Sequence, residues 1–276
     1  MRFSVRHETL YSYESPVSLG QHRLRLSPRP GAGQLLQRAL VVEPEPRARE
    51  EREDSHGNLM TVLDFGAPSR LLRVESRFEI KTAVPPPVEE AGLPALPWSR
   101  APAVLAGCLT LDRPPGPAVV DFAQALAAEQ GQRPLRFLDA LTETLYRRTD
   151  RRIRDTGYAQ APEETLLRAE GACRDLAVLF IACCRLVGLP ARFASGYQAQ
   201  AESVDGQRHL HAWPEVFLPG AGWRGFDPTH GQRVSDGHVV LCAAPGQGET
   251  MPVEGSYYGP PVAAELRYRV EIETSE

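Results

Sequence analysis

The hydrophobic period of this chain changes twice along its length, and no other feature limits its fold as much. Up to about Val84, apolar and polar residues alternate in short runs separated by turn residues: "FSVRHETLYSY", "QHRLRLSP", "QRALVVEPEP", "NLMTVLDFG" and "LLRVESRFEI". A period of two sends successive side chains to opposite faces, so these runs predict strands of a mainly antiparallel sheet, with "SHGN" (Ser55 to Asn58) as a hairpin turn. The charge-dense "REEREDSHGN" reads as a solvated strand edge running into that turn. "AVPPPVEEAGLPALP" then breaks both periodicities. From Pro115 the apolar spacing becomes three and four, in "PAVVDFAQALAAEQG" and "RPLRFLDALTETLYRRT", which predicts helices. Alternation returns in "ARFASGYQAQ", "RHLHAWPEVFL", "GWRGFDP", "HVVLCAA" and "ELRYRVEIET". The expectation is an α+β protein with an amino-terminal β domain over residues 1–84, a Pro-rich linker over 85–97 and a mixed core over 98–276.

Charge and composition narrow the partners. A net charge of -4 on 276 residues suggests neither nucleic acid nor an anionic membrane as a partner. Lys81 is the only lysine, which argues against Schiff-base chemistry. The longest uninterrupted apolar run, Leu176 to Cys184, would span about 14 Å as a helix, against roughly 30 Å of bilayer hydrocarbon. The opening "MRFSVRHETLYSY" carries charges where a secretory signal needs a continuous apolar segment. The five cysteines are odd in number and irregularly spaced, so they read as reduced thiols in a cytoplasmic protein.

Three of those cysteines fall in "EGACRDLAVLFIACCRLVGLPARF", which predicts a helix starting near Cys173 and stopped by Gly188-Leu189-Pro190. At the helix start, unpaired N–H groups and the positive end of the dipole favour a thiolate over a thiol at Cys173. Cys183 and Cys184 lie two to three turns on, among Leu179, Phe180, Ile181 and Leu186, where apolar burial keeps a thiol inert. Gly171 is expected to allow close approach of substrate, and the Cys173 amide to face a developing oxyanion. Asp175 suits a helix start, and Arg174 is placed to pair with it or with a neighbouring carboxylate.

A thiolate nucleophile needs an imidazole to manage its proton and a polar group to orient that imidazole. "RHLHAWPEVFLPGAGWRGFDPTHG" reads as a hairpin. With a three-residue loop, Leu218 faces Gly222, and Asp227 becomes the diagonal neighbour of His211 on one face. Trp213 is expected as a wall beside His211, a position that core packing explains nearly as well.

"GACRD" followed by "HAWPEVFLPGAGWRGFDPT" resembles the bacterial transglutaminase-like superfamily, and "VRHETLYSYESPV", "HRLRLSPRP" and "DSHGN" resemble the amino-terminal β region that accompanies its core. The resemblance implies a papain/transglutaminase-like core in which the nucleophile helix packs on an antiparallel sheet. It also implies Cys173 as nucleophile, His211 as general base and acid, and Asp227 as orienting carboxylate. The expected activity is acyl transfer or hydrolysis at a peptide-like amide through a thioester, with hydrolysis favoured over transfer to an amine acceptor. The family usually continues with a histidine, a short strand and Gly-Arg-Asp-Tyr, whereas this chain has His238 and then Ala244, Pro245, Gly246 and Gln247.

The substrate class implied is a peptide or protein amide, and no cofactor or metal is called for. "HLH", with His209 and His211, lacks the pair spacing of a tetrahedral metal site. His230 and His238 fit turn chemistry or cleft lining equally well. A catalytically inactive binding or scaffold protein is the rival reading. A disulfide between the adjacent Cys183 and Cys184 would be strained, because neighbouring helical side chains point about 100° apart.

Overall fold

A computed structural model describes residues 1–99, 102–111, 114–154, 157–200 and 208–276. Six strands come first: β1 (Arg2–Leu19), β2 (His22–Leu24), β3 (Gln34–Glu43), β4 (Ala48–Glu53), β5 (Leu59–Asp64) and β6 (Ser69–Lys81). The helical part holds α1 (Pro117–Glu129), α2 (Pro134–Arg148), the short β7 (Asp150–Arg151), α3 (Pro162–Arg168), β8 (Glu170–Gly171) and α4 (Cys173–Leu186). Strands then resume as β9 (Ala191–Gln198), β10 (His211–Leu218), β11 (Gly222–Asp227), β12 (Gln232–Arg233), β13 (His238–Ala244), β14 (Val253–Glu254), β15 (Tyr257–Tyr258) and β16 (Ala264–Ser275). This is the expected α+β architecture.

Helix α4 packs on an antiparallel sheet of order β12-β11-β10-β9-β13. Its apolar face supplies Leu176, Leu179, Phe180 and Cys183 to a core shared with Ala123 of α1, Leu138 and Leu141 of α2, Val216 of β10 and Phe226 of β11. The Phe180 and Phe226 rings stack with centroids 5.8 Å apart. Each large apolar side chain fully buried here contributes about 1.5–3 kcal/mol, which fixes the helix axis and hence the position of its first residue. The helix ends at Gly188, whose φ of +79° suits a residue without a Cβ, and whose successor Leu189 donates its N–H to the Cys184 carbonyl at 2.9 Å. A Cβ at Gly188 would lie 2.2 Å from the Trp98 carbonyl oxygen, so the close approach also requires glycine.

The amino-terminal strands form two sheets. β1 lies between β6 and β16, with β3 beyond β6, and the smaller sheet runs β14-β2-β5-β4. β4, from the charge-dense stretch, is an exposed edge strand as expected, and Gly57 turns the chain with φ +73° between β4 and β5. Residues 253–275, expected with the core, instead pair with β1 and β2, so the last strand lies antiparallel to the first from Arg2↔Ser275 to Tyr13↔Ala264. Period-two alternation defines a strand but not its partner, and here the partner is at the other end of the chain.

The two regions interlock. Phe3, Val5, Phe78 and Ile80 form one buried cluster with Tyr197, Val239 and Leu241 of the core sheet. Asn58, in the β4–β5 turn, completes the backbone pairing of β13: its side-chain oxygen accepts from the Ala243 N–H at 2.8 Å and its amide donates to the Ala243 carbonyl at 3.1 Å. The Pro-rich segment is stitched down as well. Glu90 accepts from the Leu135 and Arg136 N–H groups at the start of α2, and Leu96 is buried in the core.

Candidate active site

Cys173 is the first residue of α4, half-buried, and it lines a cleft of about 320 Å³ together with His211. The entry to the helix is fixed by Asp175, which is fully buried. One of its oxygens accepts from the Ala172 N–H at 2.7 Å and from Arg154 Nη1 at 3.0 Å. The other accepts from Arg154 Nη2 at 2.9 Å and the Gln160 N–H at 2.7 Å. A bidentate guanidinium and two amides satisfy a carboxylate that would otherwise be costly to bury. Arg174 does not pair with Asp175; it donates to the carbonyls of Gly157 and Arg154 and so braces the same cleft wall. Gly171 is buried, and an added Cβ would lie 2.9 Å from the Cβ of Asp175, so the space it leaves is filled by that side chain.

The hairpin register follows the expected loop: Leu218 pairs with Gly222, Phe217 with Trp223, Val216 with Arg224 and Glu215 with Gly225. This brings Asp227 alongside His211, both fully buried, with His211 Nε2 2.9 Å from Asp227 Oδ2. Two further imidazoles reach the same oxygen, His230 through Nδ1 at 2.9 Å and His238 through Nε2 at 3.0 Å. Asp227 Oδ1 accepts from the Thr229 N–H at 3.0 Å and the His230 N–H at 3.3 Å. Burial pushes the Asp227 carboxyl up, but the charge of His211 and the hydrogen bonds from the three imidazoles outweigh it and hold the group well below the usual carboxylate range. A carboxylate only accepts, so the proton of each ring is assigned to the nitrogen that touches it: Nε2 on His211, Nδ1 on His230, Nε2 on His238. The ring nitrogen of His211 left to act on a substrate or thiol proton is then Nδ1. Burial, partly offset by Asp227, pushes His238 below its ordinary value.

Trp213 is buried behind the imidazoles, its ring centroid 5.8 Å from that of His211 and 5.2 Å from that of His238. Gly196, opposite His211 on β9, makes room for it: a Cβ there would come within 2.8 Å of the indole. The remaining thiols are buried, and burial raises them, Cys183 and Cys242 to about 12 and Cys184 well above its ordinary value, with Cys108 shifted the same way. All five cysteines are unbridged. His209 lines the cleft with Nδ1 3.2 Å from the Tyr268 hydroxyl.

The convergence of His230 and His238 on Asp227 and the roles of Arg154 and Gln247 had no clear signal in the sequence. Gln247, from the stretch that departs from the family pattern, accepts the Ala159 N–H at 2.8 Å and lines the cleft. The position of His230 three residues after Asp227 was the one available hint. Ligand atoms of His211, Asp227 and His230 lie within 4.8 Å of one another, close enough to share a cation, and the same contacts are accounted for as imidazole N–H groups bonded to one carboxylate.

A thiol at a helix start and an imidazole held by a buried carboxylate, sharing one cleft, form a set suited to acyl transfer. Residues 3–81 match the bacterial transglutaminase-like N-terminal region and residues 121–228 match the transglutaminase-like superfamily core. An uncharacterized protein of Mycobacterium tuberculosis is 33% identical over 276 residues, covering 93% of this chain and 88% of its own length. One of Mycobacterium leprae is 27% identical over 271 residues, covering 94% of each. The chain belongs to the transglutaminase-like superfamily. A crystal structure of a provisionally assigned cysteine protease from Cytophaga hutchinsonii shares the fold, with TM-score 0.74, 19% identity, and coverage of 99% of this chain and 90% of that one.

Proposed function

We propose that the protein is a cysteine-dependent hydrolase of peptide-like amides that works through a thioester on Cys173. Family membership supports a cysteine-dependent hydrolase or transferase. The observation that carries the finer reading is the opening of one cleft onto both Cys173 and an imidazole whose far nitrogen is held by buried Asp227. His211 Nδ1 takes the thiol proton, and the thiolate attacks the amide carbonyl carbon to give a tetrahedral oxyanion facing the Cys173 N–H. The protonated imidazole delivers its proton to the leaving nitrogen, the C–N bond breaks, and an amine departs from a thioester. Water, deprotonated by His211, then attacks the thioester, and the C–S bond breaks to release a carboxylic acid and restore the thiol. An amine in place of water would make the same enzyme a transferase, but that route needs a second binding site.

A cytoplasmic location fits five unbridged cysteines, and no described helix is long and apolar enough to cross a membrane. In this reading residues 1–84 frame the cleft together with the strands of 253–275 that pair with them, 85–97 link, and the residues between carry the catalytic groups.

Alkylation by iodoacetamide at neutral pH tests the proposal. Cys173 should react at least tenfold faster than free cysteine, the label should be lost in Cys173→Ala, and Asp227→Asn should slow it. A rate equal to that of free cysteine would overturn the enzymatic reading and favour a scaffold.

A further inference from the structure

The strand β16 is asymmetric. One face carries Glu265, Arg267, Arg269 and Glu271, while the other presents Leu266 and Tyr268, which remain 44% and 38% exposed. Their cross-strand partners on β1 are Tyr11 and Thr9, and all four line the cleft that contains Cys173 and His211. Alternate residues of paired strands share a face, so the two ends of the chain together build one wall of the candidate active site. The motif "HETLY" acquires a role from this placement, because His7, Thr9 and Tyr11 are its cleft-facing positions.

Beneath the apolar residues lies a neutral floor. His7 is buried, with Nδ1 2.7 Å from the Tyr197 hydroxyl and Nε2 3.3 Å from Thr9 Oγ1. Burial lowers its pKa to about 4, so it carries no charge near neutrality. β1 is paired on both sides, by β6 and β16, so its own backbone is not open to a substrate strand, and what this face of β1 offers a ligand is side chains.

We propose that the face made by Tyr11, Thr9, Leu266 and Tyr268 is a substrate subsite for an uncharged apolar or aromatic side chain next to the scissile amide. This rests on the amide-hydrolase reading for its link to the chemistry, though binding itself can be measured without turnover. The four side chains of this wall offer apolar area and carry no charge of their own, so the face rewards an uncharged side chain over a charged one.

The test is calorimetric binding of N-acetylated tripeptide amides, with a central leucyl, tyrosyl, glycyl, aspartyl or lysyl residue, to the Cys173→Ala protein. The leucyl and tyrosyl peptides should bind about tenfold tighter than the other three. Adding Tyr268→Ala or Leu266→Glu should erase that preference, whereas Val41→Glu, on exposed β3 outside the cleft, should leave it intact. In the Cys173-containing protein Val41→Glu, outside the cleft, should leave the iodoacetamide rate unchanged. A preference that survives both cleft substitutions, tighter binding of a charged peptide, or no measurable binding by any of them would overturn the subsite. An inert Cys173 with the preference intact would instead sink the catalytic reading alone.

Discussion

Asp227 receives three imidazoles and two amides, and the consequences are sharpest at this residue. Asparagine there has one acceptor oxygen and would no longer fix the His211 tautomer, so Asp227→Asn should lower kcat by up to about 10⁴-fold in a protein that still folds. Because its folded pKa is depressed, Asp227 stabilises the fold above its unfolded pKa, and that contribution is lost as pH falls through the lower folded value. His7 moves stability in the same direction for the opposite electrostatic reason. Its folded pKa of about 4 lies below the ordinary value of 6.5, so the unfolded chain takes up a proton first as pH falls. Stability should therefore be full above about pH 6.5 and fall by about 3 kcal/mol by pH 4 on account of this residue. Urea denaturation across that range should show a shallower pH slope for His7→Gln than for wild type. An unchanged slope would mean that His7 is not buried in neutral form. The place of Cys173 at a helix start and of Asp227 beside His211 was legible in sequence because a helix start and a hairpin register are local properties. His238 and Arg154 were not, since their places depend on how separate segments dock.

The element that matters most is the start of α4, held by a carboxylate that the loop before α3 neutralises. Arg154→Ala would leave buried Asp175 without its guanidinium, and a loss of about 3 kcal/mol is expected on equilibrium denaturation. Arg154→Ala combined with Asp175→Asn should cost less than the sum of the single changes, as a shared interaction requires. Additive losses would show that the pair does not couple. The β4–β5 turn makes a second prediction: Asn58→Ala strands the buried Ala243 N–H and should cost about 1–3 kcal/mol. The sequence located both elements, the helix by its apolar spacing and the turn by "SHGN". It held no information on Asn58 docking against β13, because an asparagine in a turn has adequate local reasons to be there.

For the whole molecule, the unexpected result is that the chain closes on itself. β16 pads the long β1 while β14 and β15 add to the same amino-terminal sheets, so a cut after the core strands would strip the cleft of a wall. Removing residues 264–276 should lower the melting temperature and abolish discrimination among the tripeptide amides. A truncated protein that melts and discriminates as wild type does would leave β16 without a role in either. The α+β class and the order of strands and helices were readable from the change of period, whereas the return of the last strand was not, since an alternating run is equally suited to either sheet.

In the proposed mechanism Cys173 carries the acyl group. Intact-protein mass spectrometry after rapid acid quenching of wild type with an activated peptide-like acyl donor measures it directly. A mass increase equal to the acyl group is expected, located by digestion on the peptide containing Cys173, absent in Cys173→Ala, and decaying when water or an added amine accepts it. No adduct under turnover, or an adduct that persists in Cys173→Ala, would contradict it.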